Sequence, residues 1–179
     1  MKDNQFGGSA KYVLDNELSK IVNISMVLEM PLLLKGEPGT GKTMLAHAIA
    51  ESVRMPLIIL NVKSNMKLIE ALYQYDTLTR LNDSRFGDST RVVSDINEYI
   101  KMGKIGQAFT AEKRCVLLID EIDRSDDEFE ALLLEFLAES SVTVPEVGTF
   151  TASVPPIVVL TSNRSRELHD ALKRRCYYP

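Results

Sequence analysis

The chain has 179 residues, of which 45% are hydrophobic and 26% charged, and its formal net charge is −4. That balance suits one ordinary soluble domain with a real core, and it lacks the broad positive field on which non-specific nucleic-acid binding depends, so nucleic acid is not an expected partner. Cys115 and Cys176 match no metal or redox spacing, and no leader or 18-residue apolar run is visible, so a cytoplasmic protein without a membrane segment is expected.

Residues 1–10 are polar, contain Gly7-Gly8-Ser9 and read as a flexible tail, leaving residues 11–179 as one α/β unit. From Tyr12, apolar residues Val13, Leu14, Leu18, Ile21, Val22 and Leu28 recur at three and four positions, which predicts a helix ending before Pro31. Four short apolar runs follow: Leu32-Leu33-Leu34, Leu57-Ile58-Ile59-Leu60, Val116-Leu117-Leu118-Ile119 and Ile157-Val158-Val159-Leu160. Runs of this kind suit strands covered on both faces. Helical patterns lie between them at 42–54, 64–81, 95–110 and 126–138, and this alternation predicts a parallel sheet with crossover helices.

Ser125 with Glu128 reads as a capping box opening the helix at 126, whose apolar face holds Phe129, Leu132, Leu133, Phe136 and Leu137. Residues 82–95 look like an irregular loop. Val142-Thr143-Val144 and Thr149-Phe150-Thr151 predict a hairpin with a turn of four or five residues. A last helical stretch from about 167 ends in Lys173-Arg174-Arg175, a basic terminus that the helix dipole favours whatever the function. His47 and His169 stand alone, and no zinc site is expected.

The segment Gly36-Glu37-Pro38-Gly39-Thr40-Gly41-Lys42-Thr43 carries the strongest chemistry. Holding a triphosphate requires inward-facing backbone N–H groups, glycines that permit the turn, an ammonium for the β and γ oxygens and a hydroxyl for magnesium. Each is present, between a predicted strand and a helix that continues from Met44. A plain glycine turn explains Gly39 and Gly41 but not Lys42 followed by Thr43.

Asp120 and Glu121 emerge where the third strand ends, at the edge where α/β sheets bind ligands. Asp120 suits a magnesium partner, and Glu121 a base for water aligned with the γ-phosphate. Solvation alone would explain such a pair in isolation; beside the phosphate loop the catalytic reading gains weight. Asp123 and Arg124 are expected to face solvent or a neighbouring subunit. Asn163 ends the fourth run and could orient the attacking water, or simply open a turn.

Together these strings resemble the AAA+ ATPases, specifically the MoxR-like branch with its carbon-monoxide-dehydrogenase-maturation relatives, over residues 12–179. The resemblance implies a P-loop NTPase fold, a three-layer α/β/α arrangement with a mainly parallel sheet, as in the AAA+ large subdomain. It implies ATP and Mg2+ as ligands, Walker A at Gly36 to Thr43 with Met44 beside it, Walker B at Asp120 and Glu121, and sensor 1 at Asn163. It further implies an arginine finger at Arg175, with Arg174 as second choice, and adenine contacts near Tyr12 and Val13. The hairpin at 142–151 looks like an insertion common in this branch.

Because the chain stops at Pro179, where the family begins its fifth strand and helical lid, a fragment with slow turnover is expected. The implied function is a ring-forming, usually hexameric ATPase that remodels or matures a protein partner, possible clients including von Willebrand A domain proteins. Two alternatives are a nucleotide-gated binding module with little turnover and a DNA-acting AAA+ protein.

Overall fold

The computed structural model describes Phe6 and residues 16–87, 91–144, 148–152 and 154–178. In chain order the elements are α1 (Asn16–Leu28), β1 (Leu32–Lys35), α2 (Lys42–Ser52), β2 (Leu57–Asn61), α3 (Leu68–Leu72), β3 (Tyr73–Tyr75) and α4 (Thr77–Phe86). They continue with β4 (Ile100–Met102), α5 (Lys104–Phe109), β5 (Val116–Asp120), α6 (Asp127–Glu139), β6 (Ser141–Val144), β7 (Gly148–Thr151), β8 (Ile157–Ser162) and α7 (Asp170–Arg175). Short 3-10 turns occupy Ile96–Tyr99 and Ile122–Arg124.

All four runs read as strands form one parallel sheet in the order β1-β8-β5-β2. Alternate side chains of a strand leave opposite faces, and the two cores follow that rule. Leu32 and Leu34 of β1 and Val116 and Leu118 of β5 meet Leu45 and Ile49 of α2 on one face. Leu33, Leu117 and Ile119 meet Ile105, Phe129 and Leu133 on the other. This is the expected three-layer arrangement, and it brings the C-terminal ends of β1, β5 and β8 together. Beyond α7 the chain pairs with the outer edge of β1, where Leu33 N–H donates to Tyr177 O at 2.9 Å and Tyr177 N–H to Pro31 O at 2.8 Å.

Several local expectations are corrected. The helix expected at 64–81 is broken into α3 and α4 by β3, and the one expected at 95–110 is a 3-10 turn, β4 and then α5. Aromatic Tyr73 and Tyr75 pair antiparallel with Met102 and Ile100, so strand pairing overrides helical periodicity. Asp76 then caps α4 by accepting from Thr79 N–H at 3.0 Å, which carries that helix to Phe86, into the region expected as loop. At the crossing of α3 and α5, a Cβ on Gly106 would lie 2.1 Å from Leu72 O, so the two backbones approach as closely as they do because residue 106 is glycine.

The cap of α6 is Asp126, which accepts from Phe129 N–H at 2.7 Å, whereas the Ser125 hydroxyl donates to Ile122 O. Leu132, expected on the apolar face of α6, is exposed. The hairpin forms with Val144 opposite Gly148, which leaves three residues between the paired ends, and those lie outside the described residues. Phe6, assigned to a flexible tail, is buried; its N–H donates to Asn23 Oδ1 at 2.8 Å and its carbonyl accepts from Ser19 and Asn23. The rest of residues 1–10 lies outside the described residues. Both cysteines are buried, and burial pushes the Cys176 thiol up to about 12, in keeping with small hydrophobes. Among the described residues no helix is long and apolar enough to cross a membrane.

Candidate active site

A cleft of about 290 Å³ opens at the C-terminal edge of the sheet, lined by Pro38, Gly39, Gly41, Lys42, Thr43, Met44, Asp120, Glu121 and Asn163. Its floor comes from β1, which turns at Gly36, where the N–H donates to Ser162 O at 3.1 Å and ties the loop to β8. Gly39 and Gly41 take φ of 82° and 85°, left-handed values that side chains disfavour, and Gly41 caps α2. The first amides of α2 follow directly on this loop, with the positive end of an 11-residue helix behind them.

Lys42 Nζ lies across the loop mouth, donating to the carbonyls of Gly36 at 2.8 Å and Glu37 at 2.7 Å. Thr43 Oγ1 lies 3.2 and 3.3 Å from the two carboxylate oxygens of Asp120. One hydroxyl and one carboxylate are hard oxygen donors, the set a magnesium ion takes when phosphates supply further ligands. Among the described residues no group of three His, Cys, Asp or Glu could hold a metal unaided. The donors fit a metal that arrives with a triphosphate.

Glu121 sits at φ 59°, left-handed for a non-glycine residue, an arrangement that costs on the order of 1 kcal/mol. Its N–H donates to Thr161 Oγ1 at 2.9 Å, and that hydroxyl in turn donates to Asp120 Oδ1. The bend aims the carboxylate toward β8, where Oε1 accepts from Asn163 Nδ2 at 2.9 Å while Oε2 pairs with Arg124 Nε at 2.9 Å. Asp123, expected to face solvent, is buried and accepts from Asn163 N–H and Ser165 N–H at 3.0 and 2.9 Å, and from the Ser165 hydroxyl. The physical reason is that the short turn Ile122–Arg124 folds it under the loop after β8.

Beside the phosphate loop a second recess, lined by Leu18, Leu34, Lys35, Gly36, Thr40, Lys42 and Leu45, shares Lys42 with the cleft and has apolar walls. Leu18 of α1 forms one wall, while Tyr12 and Val13 lie outside the described residues. Arg174 and Arg175 are exposed at the end of α7 and do not line the cleft. The sequence reading missed Thr161, Arg124, Asp123 and Leu18. Only Thr161, inside the string that ends in Asn163, carried a signal; the others depend on a turn or a helix packing that no spacing announces.

Residues 32–178 match the ATPase family associated with various cellular activities (AAA). The chain is 27% identical over 145 residues to an ATP-dependent zinc metalloprotease YME1 homolog of Caenorhabditis elegans, covering 80% of this chain and 17% of that protein. It is 29% identical over 154 residues to 26S proteasome regulatory subunit 10B of Dictyostelium discoideum, covering 80% of this chain and 31% of that one. The fold superposes on the crystal structure of a candidate ATPase from Cytophaga hutchinsonii with a TM-score of 0.62 and 18% identity, over 91% of this chain and 45% of that chain. The chain thus spans less than half the length of each of these proteins.

Proposed function

Because the chain belongs to the ATPase family associated with various cellular activities, we propose that it binds Mg-ATP in this cleft and hydrolyses the β–γ bond, serving as the nucleotide-driven part of a protein remodeller. The observation that carries the reading is the convergence of Lys42, Thr43, Asp120, Glu121 and Asn163 on one cleft at the sheet edge. Loop amides and Lys42 hold the phosphates. Thr43 and Asp120 would hold magnesium, directly or through water; when bound, it neutralises charge on the β and γ oxygens. Glu121 accepts the proton of the attacking water, and Asn163 aligns both. The apolar recess beside the loop takes the base against Leu18.

Ring assembly, usually of six, follows as part of the proposal. In this reading Arg175, exposed at the end of α7, serves as the arginine finger toward the nucleotide of a second copy, with Arg174 as alternate. A MoxR-like role with a von Willebrand A domain client in the cytoplasm is the most specific form of the reading. Relatives named as a metalloprotease and a proteasome subunit support a protein client, while one named as a replication factor C large subunit supports the alternative of a DNA-acting protein.

A second reading, a nucleotide-gated binding module with little turnover, draws on the engagement of both Glu121 oxygens by Asn163 and Arg124. Phosphate release by wild type and E121Q tests the first against the second. The expected result is retained ATP binding with turnover lower by about 10²- to 10³-fold in E121Q. Equal turnover in both removes Glu121 from the chemistry, and no release from wild type at high protein concentration favours the module.

A further inference from the structure

We infer that Asp123 is a positioning residue that fixes Asn163, and through it the Glu121 carboxylate, in the geometry used for hydrolysis. The inference rests on the reading of the cleft as an ATPase site and names a residue that reading does not use. Asp123 is 4% exposed, yet among the described residues no cation pairs with it. Its charge is met by donors from one short loop. Oδ1 accepts the Asn163 N–H at 3.0 Å, and Oδ2 accepts the Ser165 N–H at 2.9 Å together with the Ser165 hydroxyl.

The placement gives these bonds a consequence beyond packing. Glu121 caps the turn Ile122–Arg124 in which Asp123 lies, and Arg124 N–H donates to Glu121 O at 2.9 Å, so one short turn carries both carboxylates. In the loop after β8, residues 163 and 165 flank Arg164, which is itself left-handed at φ 61°. Two ties join the turns: Asn163 Nδ2 to Glu121 Oε1, and the Asp123 carboxylate to the loop backbone. The second tie sets the direction in which the Asn163 amide leaves its backbone, and the first depends on that direction.

Burial alone would push the Asp123 carboxyl up, but the hydrogen bonds from Ser165 and Asn163 outweigh it and hold the group below its ordinary range. It therefore stays an acceptor on both oxygens at neutral pH. An asparagine there offers one acceptor oxygen and turns an NH2 toward backbone N–H donors, so the loop must shift. A misplacement on the order of 1 Å at a reacting group costs about 10²-fold in rate.

The test measures phosphate release by the full chain for wild type, D123N, S165A, N163A, D123N/N163A and S165A/N163A, with ATP affinity and melting temperature alongside. Expected are a loss in kcat of about 10²-fold in D123N with KM for ATP nearly unchanged, and a loss of about three- to tenfold in S165A, which keeps both backbone donors. Each double variant should be no slower than N163A alone, since a group acting through Asn163 adds nothing once that side chain is gone. Effects that multiply in the double variants, or losses that only track melting temperature and ATP affinity, would overturn the inference.

If D123N does not fold, S165A with N163A completes the same cycle. The Asn163 side-chain amide resonance, compared between wild type and S165A without turnover, separates this inference from the ATPase reading. A shifted amide is expected, and an unmoved one overturns the positioning role. A wild type that releases no phosphate sinks the hydrolytic reading instead, and the amide result still decides whether Asp123 sets Asn163.

Discussion

The C-terminal edge of the sheet, where the cleft lies, and the excursion carrying β3, α4 and β4 are held together in different ways. At the edge, individual side chains bridge separate strand ends: Thr161 touches both Asp120 and the Glu121 backbone, and Asp123 grips residues 163 and 165. In the excursion, β3 and β4 pair only with each other among the described residues, and α4 buries none of its residues while Leu78 and Phe86 stay about three-quarters exposed at 74% and 76%. Its ties are few: Lys101 pairs with Asp76 at 2.6 Å on the surface, and the buried Tyr99 donates its hydroxyl to Asp83 at 2.9 Å. A surface ion pair in high dielectric contributes little to stability. The C-terminal edge therefore shares the stability of the whole sheet, whereas the excursion opens locally at lower cost.

The comparison breaks most visibly where the excursion is rooted. G106A places a Cβ 2.1 Å from the Leu72 carbonyl, an overlap of backbone rather than of a flexible side-chain tip, and should destabilise the chain by about 3 kcal/mol in urea unfolding. A smaller effect probes the edge. Asp123 is held below its ordinary value when folded, so its contribution is complete above about pH 4 and is lost as pH falls through the folded value. Urea midpoints of D123N should accordingly fall less steeply than those of wild type in that acid range. The smallest effect sharpens the contrast: L78S and F86S should each change stability by no more than about 0.5 kcal/mol. A cost several times larger would mean that α4 is packed rather than peripheral.

The same contrast separates what the sequence disclosed from what it hid. Leu32, Val116 and Ile157 open runs with uniform burial, so their apolar continuity reported strands directly, and the glycine-lysine-threonine loop is legible because its chemistry dictates residue types. Tyr73 and Tyr75 belong to β3 only because Ile100 and Met102 lie opposite, a partnership 25 or more residues away that local periodicity does not contain. Asp126 rather than Ser125 caps α6 for a related reason: the Ser125 hydroxyl is already committed to Ile122 O. Asp123 looked like a surface acid until the turn after β5 folded it under residues 163–165. Side chains whose role is imposed by substrate chemistry can be read in advance; those whose role is to hold a neighbouring loop become visible only with the fold.

Binding of a fluorescent ATP analogue to wild type and K42A, with and without magnesium, bears most directly on the claim that the loop from Gly36 to Thr43 holds a triphosphate. Saturable, magnesium-dependent binding in wild type, weakened at least about 10²-fold in K42A, is the predicted result. Equal affinity in the two proteins, or none in wild type, would contradict it.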